Sequence, residues 1–201
     1  QAMMRLGFKW AADFASAQQG IVDDSPAPAL QATAIAAASC VQGFAGQFPC
    51  RNVDFQAQIA LNQFNSQPLS AANVWGFVDL NDNREYAVVG LRNGTSIVEV
   101  TDPVNPRQAA FIAGNNSAWR EVKIYQVFDA QANRHRAYAY ITTEASGSGL
   151  QVIDMSGLPA NATLATTILD TGRQHTAYVS NIDYATNMAL PGTQAFLWLA
   201  G

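Results

Sequence analysis

The sequence predicts a mainly β protein built from repeated units of four short antiparallel strands. From residue 73 onward, short runs of β-branched and aromatic residues alternate with turns rich in Gly, Pro, Asn and Asp. The strands recur in the same order about 50 residues later. The chain has 201 residues, of which 49% are apolar, and a chain of this length can bury a core without additional cross-links.

The first unit covers residues 74–113. The residues between its second and third strands include Asn93 and Gly94, and Asn-Gly is a strong signal for a tight β-hairpin. The second strand is so apolar that we expect both of its faces to be covered. The four predicted strands are 74–78, 86–91, 96–100 and 108–113.

The second unit, residues 121–169, repeats this order, and a third unit begins near residue 175. Four short antiparallel strands per unit at this period are typical of β-propeller blades. We therefore predict two full blades and part of a third, with a β-sandwich as the alternative. The predicted strands are 122–127, 137–142, 150–155 and 164–169 in the second unit, and 175–179 and 195–200 in the third.

The chain divides near residue 40. Residues 1–39 are predicted to form an N-terminal helix over 2–19 followed by a linker or arm, and residues 40–201 form the propeller-like domain. Gln1 is not an initiator methionine, which is consistent with removal of a targeting signal.

The two cysteines, Cys40 and Cys50, bracket a turn-prone loop that contains Gly43, Gly46 and Pro49. Such a loop lets its ends meet, so we predict a disulfide, which indicates an oxidising compartment. The alternative is a pair of unrelated buried thiols. No Cys-x-x-Cys motif supports a zinc site.

Several stretches from residue 40 to the end carry a family resemblance. The most specific are a Trp-Gly pair at Trp75, a Gly-Thr pair at Gly94 and a Trp-Arg pair at Trp119. In combination, the chain resembles the bacterial LVIVD-repeat proteins, in particular the choice-of-anchor B family. The matching stretches are 43–54, 74–79, 84–95, 98–106 and 119–125.

The resemblance implies a secreted or surface-anchored bacterial β-propeller whose ligand is poorly defined. The chain departs from the pattern at Thr176, since similar proteins usually have Asn after the histidine. It also stops at Gly201, where such proteins continue through more blades and an anchor. We therefore expect either a fragment or an unusually short relative.

One turn carries oxygen ligands at alternate positions, namely Asp79, Asn81, Asn83 and Glu85. Calcium prefers six to eight oxygen ligands, so the turn is a candidate for a weak calcium site. The EF-hand pattern fails because Arg84 stands where that loop needs Gly. The alternative is a solvated hairpin turn. No other cofactor is predicted.

The alternative function is that of a hydrolase or lyase. Its active site would contain His175 and nearby acidic residues. No Gly-x-Ser-x-Gly motif is present, so a serine hydrolase has no support. A lone histidine at the start of a strand is more often a hydrogen-bonded structural residue. No catalytic residue is assigned.

The charge of the chain limits the classes of partner that it is expected to bind. Charged residues make up 13% of the chain, and 11 basic against 15 acidic residues give a net charge of -4. Nucleic acid is not expected as a partner, because binding phosphates requires clustered cations. No apolar stretch reaches 18 residues, so no transmembrane segment is predicted.

The sequence thus favours a non-enzymatic extracellular or cell-surface module, with the periplasm as the alternative location. It would bind a protein, a polysaccharide or further copies of itself. Two blades and part of a third cannot close a ring, and residues 195–200 would leave an apolar strand uncovered. We therefore expect an oligomer, with a filament as a natural form, or membership of a larger chain.

Overall fold

The computed structural model of this chain describes residues 35–201, so the predicted helix over 2–19 and most of the linker lie outside the described residues. The described part is mainly β. Its helical structure is limited to two three-residue 3-10 turns, Leu61–Gln63 and Leu169–Thr171, and it includes no helix of the length and apolarity that a membrane span needs. The strands are β1 Phe44–Ala45, β2 Phe48–Pro49, β3 Ala71–Val78, β4 Glu85–Leu91, β5 Gly94–Glu99, β6 Arg107–Ala113, β7 Arg120–Asp129, β8 Arg134–Thr143, β9 Leu150–Asp154, β10 Thr163–Ile168, β11 Thr176–Ser180, β12 Ile182–Asp183, β13 Met188–Ala189 and β14 Phe196–Ala200.

The first predicted unit is a four-stranded antiparallel sheet in the order β3-β4-β5-β6. Val88 in β4 pairs with Trp75 on one side and with Ile97 on the other, so the chain runs up and down through neighbouring strands. This arrangement confirms four strands over residues 74–113, with β3 beginning at Ala71.

In both main sheets, a glycine at the start of the third strand lets the fourth strand approach closely. The Asn-Gly signal does mark a hairpin, but Gly94 is already the first residue of β5 and pairs with Leu91. A Cβ on Gly94 would lie 2.3 Å from the carbonyl oxygen of Ile112. A Cβ on Gly149 would likewise lie 2.3 Å from the carbonyl oxygen of Ile168. Neither glycine can therefore be replaced without moving the neighbouring strand.

The second predicted unit is also present, as the antiparallel strands β7 to β10. The hairpin β12-β13 adds two short strands to the free edge of β7, through a parallel pair between Met188 and Gln126, and makes this sheet six-stranded. The sequence did not predict this addition. The third unit contributes a separate two-stranded antiparallel sheet, in which β11 pairs with β14.

The main core lies between the first two sheets. Phe77, Tyr86 and Ile97 of the first sheet share one apolar cluster with Val122 and Ile124 of the second. All five side chains are buried, and their period-2 positions along the strands place them on facing surfaces. Burial of this apolar area is the dominant stabilising term for the packed pair of sheets.

The outer face of the first sheet is covered by the chain that precedes it. Phe64 packs with Leu91 and Val98 in a second cluster, to which Ile59 and Val89 also contribute. The sequence predicts that β4, the second strand, has no solvent-exposed face. This prediction holds for every residue of β4 except Glu85, since the others are all at least partly buried.

Cys40 and Cys50 form the predicted disulfide. It closes a small loop that contains the β1-β2 hairpin. The loop is fastened to the following segment, since the backbone N–H of Cys40 donates to Asp54 Oδ1 at 2.8 Å. The rings of Phe48 and Phe55 also meet, at 4.9 Å between centroids.

Glu99, at the end of β5, is nearly buried between two arginines. Arg84 Nη1 donates to its Oε1 at 2.9 Å, and Arg107 Nη2 donates to its Oε2 at 2.6 Å. Burial alone would raise the pKa of Glu99, but the hydrogen bonds and charges of Arg107 and Arg84 outweigh burial, so the pKa is lowered.

We predict that this carboxylate makes stability depend on pH in the acid range. Because the pKa of Glu99 is lower in the folded state, its contribution is complete above the unfolded-state pKa of about 4.3 and is lost as pH falls through the folded-state pKa. Glu99→Gln should lower the free energy of unfolding by about 1 kcal/mol at pH 7, since both arginines are partly exposed. Urea denaturation at a series of pH values measures both effects.

The matched control is Glu85→Gln, which neutralises an exposed glutamate of the neighbouring strand. It should keep the acid sensitivity of the wild type, whereas Glu99→Gln should flatten it. Equal pH profiles for all three proteins would contradict the assignment.

Candidate functional site

One turn recurs at the first hairpin of three successive units. An aspartate begins the turn, and its Oδ1 accepts the backbone N–H two residues later, at 2.8, 3.0 and 2.8 Å. An asparagine four residues after the aspartate adopts a left-handed backbone, with φ of 60°, 48° and 54°. Both residue types suit these roles, since Asp caps turns and Asn tolerates positive φ. The pairs are Asp79 and Asn83, Asp129 and Asn133, and Asp183 and Asn187.

The candidate calcium ligands Asp79 and Asn81 have a structural role in this turn. Asp79 is buried, and its Oδ1 also accepts the side-chain amide of Asn81 at 2.7 Å. Asn81 in turn exchanges two hydrogen bonds with the backbone of His135, which tie the first unit to the second. Glu85 is exposed at the start of β4, paired with Val78. Asp79 Oδ1 and Asn81 Oδ1 thus have protein partners.

Within residues 35–201, no three His, Cys, Asp or Glu side chains are grouped so as to hold a metal ion. Calcium binding by Asp79, Asn81, Asn83 and Glu85 stays a prediction, and the hydrogen bonds favour a turn that works without metal.

We predict that Asp79→Ala destabilises the fold by about 1–2 kcal/mol, because it removes a buried acceptor from the N–H groups of Asn81. Asp82→Ala, in the same turn, removes an ion pair and a backbone hydrogen bond with Arg84 that are both exposed, so it should cost less, about 0.5 kcal/mol. Millimolar calcium should leave the wild-type Tm unchanged. A calcium-dependent rise in Tm that is lost in Asp79→Ala would instead establish the site.

His175 is paired with a carboxylate that the sequence did not single out as its partner. Its Nδ1 lies 2.7 Å from Glu144 Oε1, and its ring stacks on Trp119 at 4.5 Å between centroids with the planes 7° apart. The backbone of His175 is held as well, since its N–H donates to Ala200 O and its carbonyl accepts from Trp119 Nε1. These contacts join the third unit to the second.

A carboxylate on Nδ1 orients an imidazole so that Nε2 is presented outward, the arrangement used for general-base catalysis. The His175 and Glu144 side chains are 51% and 46% exposed, so water reaches the pair freely. Asp183, an acidic residue close to His175 in sequence, accepts the backbone N–H of Ala185 in its own turn. The geometry therefore supplies a candidate base, and within residues 35–201 both members of the pair are open to solvent.

Buried polar side chains form a second network where the three units meet. Lys123 Nζ donates to Glu121, whose other oxygen accepts Asn73 Nδ2 at 3.1 Å. Lys123 also lies 4.4 Å from the ring of Trp75, whose Nε1 donates to Asn187 Oδ1 at 3.0 Å. These contacts position β3, β7 and the third turn, while Asn187 Nδ2 is buried without a partner among the described residues.

The third unit exposes a group of large aromatic side chains, which we call the aromatic face: Tyr178, Tyr184, Phe196 and Trp198. Their exposed fractions are 52%, 52%, 46% and 60%, respectively. Tyr178 and Trp198 stand opposite each other across the β11-β14 pair. Trp198 Nε1 donates to Ser180 Oγ at 2.9 Å, and a hydrogen bond with Tyr178 raises the pKa of Tyr184. Exposed apolar side chains grouped in this way are typical of interaction surfaces.

The opposite face of the same sheet is buried along β11 and partly buried along β14. Ala177 and Val179 of β11 have exposed fractions of 1% and 4%, and β11 lies against β7 and β8 of the second sheet. In the described part of the chain, β14 pairs with β11 alone, so its other edge presents unpaired backbone groups. The aromatic face and this edge together form the candidate binding surface.

Comparison of the chain with protein-family models, curated proteins and solved structures found no match in any of the three.

Proposed function

We propose that this chain belongs to a secreted or cell-surface, non-enzymatic protein of the LVIVD-repeat, choice-of-anchor B type, with a β-propeller-like architecture. It acts as a binding, adhesion or assembly module. The observation that carries the proposal is the aromatic face with its unpaired strand edge, because such a surface takes up another sheet or an extended ligand.

The propeller-like architecture is supported by the way successive units pack. β3 lies against β7, and β7 lies against β11, so the first strand of each unit neighbours the first strand of the next. The Asp-Asn turn recurs in all three units at the end of that strand or just beyond it. Repeated sheets that pack face to face around their first strands are typical of propeller blades.

The two ends of this stack differ. The outer face of the first sheet is covered by Phe64 and Ile59, whereas no residue of the described range 35–201 covers the aromatic face of the third. Head-to-tail stacking into a filament would have to displace the covering segment. We therefore infer that the aromatic face takes either a further blade or the same face of a second copy, which gives a closed two-fold contact.

An extracellular, surface or periplasmic location fits the disulfide between Cys40 and Cys50 and the small number of charged residues. A protein or polysaccharide is the partner class that the exposed aromatic rings suit. Their flat apolar surfaces and polar edges are the features that make Tyr and Trp frequent at interfaces.

We predict that the 201-residue chain associates at low micromolar concentration, as measured by light scattering. The double variant Tyr178→Gln, Trp198→Gln should shift it toward monomer and raise solubility, because the apolar surface that drives association is removed. Leu169→Gln is the matched control, since Leu169 is 65% exposed outside the aromatic face. A wild-type protein that is monomeric with a cooperative melt would contradict the proposal.

A hydrolase or lyase is the second candidate, favoured by the carboxylate-oriented imidazole of His175. Purified protein incubated with panels of polysaccharides and peptides should show no turnover under the proposed function. Turnover that His175→Ala abolishes and His135→Ala preserves would establish the enzyme instead. The chain has only these 2 histidines, so the pair of variants isolates the role of His175.

A further inference from the structure

Arg120 is the largest side chain in the described structure that is almost fully enclosed, with 1% of its surface exposed. Its Nε donates to the carbonyl oxygen of Leu91 at 2.9 Å, and its Nη2 donates to that of Asn115 at 2.6 Å. Among residues 35–201, its Nη1 has no hydrogen-bond partner. The guanidinium thus holds the end of the first sheet and keeps one nitrogen unused.

The charge of Arg120 is not compensated by the described residues. Burial alone lowers its pKa, to about 10, and no carboxylate contributes to the shift. The side chain is therefore still a cation at neutral pH. A buried cation without a counter-charge is destabilising, because two carbonyl dipoles replace only part of its hydration.

A cavity of about 450 Å³ lies at this guanidinium, between the end of β6 and the loop that precedes β9. Besides Arg120, its polar lining includes Asn115, Ser148, Gln151 and Thr167. Two of these also carry buried atoms without partners, namely Ser148 Oγ and Gln151 Oε1. Gln151 is fixed in orientation, since its Nε2 donates to the carbonyl oxygen of Ala113 at 3.2 Å.

Gly114 brings two of the unpartnered atoms together. A Cβ on Gly114 would lie 2.9 Å from Arg120 Nη1 and 3.1 Å from Gln151 Oε1. An unused donor with positive charge and an unused acceptor therefore flank the same small space. Any side chain at position 114 would fill that space.

We infer that this cavity binds the carboxylate of a hydroxylated acid, of the kind found in the uronic acid residues of polysaccharides. Nη1 is closed to solvent in this structure, so the ligand displaces the contacts that cover it, and its carboxylate accepts from Nη1 in a charge-assisted hydrogen bond. A neighbouring ligand hydroxyl donates to Gln151 Oε1, an atom that a bare inorganic anion cannot satisfy. Ser148 Oγ serves either group. The volume suits one sugar ring within the usual range of ligand sites.

This cavity is separate from the aromatic face, so the inference stands whether or not that face associates. A hydroxylated acid would also be a defined ligand class for the binding module proposed above. Failure of association in light scattering and failure of ligand binding here are independent results.

Isothermal titration calorimetry with sodium glucuronate tests the inference, with glucose and sodium acetate as matched probes. We expect glucuronate to bind with a Kd on the order of 1 mM, as for a ligand of this size. Glucose lacks the charge and acetate lacks the hydroxyls, so each should bind at least tenfold more weakly. Thermal melts should rise by about 2–4 °C at a glucuronate concentration about five times the Kd.

Two variants locate the binding. Ser148→Ala removes a hydroxyl that has no protein partner, so the fold should be kept while glucuronate affinity falls about three- to tenfold. Arg120→Gln should abolish binding, and Arg51→Gln, which removes an exposed arginine that does not line the cavity, should leave it unchanged. If Arg120→Gln does not fold, Ser148→Ala and the comparison of glucuronate with glucose decide the question.

The inference is overturned if glucuronate, glucose and acetate are indistinguishable, or if Ser148→Ala binds glucuronate like the wild type. An oligogalacturonate arm identifies the source of the acid. Tighter binding of the oligomer than of the monomer supports an acidic polysaccharide, and equal binding supports a free hydroxy acid.

Discussion

The architecture depends on the packing of one β-sheet face onto the next. Phe77 and Tyr86 on the first sheet meet Val122 and Ile124 on the second, and all four side chains are excluded from water. A single four-stranded sheet cannot bury its own apolar face, so each unit requires a neighbour. The same requirement explains the segment around Phe64 that covers the first sheet and the incomplete burial of the third.

Polar groups decide how the packed sheets are aligned. The carboxylate of Asp79 closes its own turn, and the amide of Asn81 beside it reaches the backbone of the second unit. The buried pair of Glu121 and Lys123 connects with Asn73 in the same way. Buried polar groups are costly unless they are satisfied, so such contacts favour one alignment over its alternatives.

The candidate functional sites are the places where apolar surface is left exposed or a polar group is left without a full set of partners. The aromatic face leaves Trp198 in contact with solvent on a sheet whose other side is buried. Arg120 keeps an unused nitrogen beside a cavity. The imidazole of His175 is held by Glu144 and Trp119, and about half of the side chain is exposed to solvent. Arg120 begins β7, His175 immediately precedes β11, and the aromatic face lies on the third unit.

The sequence by itself determined the four strands of each of the first two units, their order and the disulfide, because period, turn residues and loop length are local properties. It did not reveal the β12-β13 hairpin that joins the second sheet, nor the recurrence of the Asp-Asn turn at Asp183. The pairing of His175 with Glu144 and the cavity at Arg120 were decided only by tertiary structure. Those contacts join residues about 30 positions apart or more, and they depend on how one sheet lies on another, which no local pattern encodes.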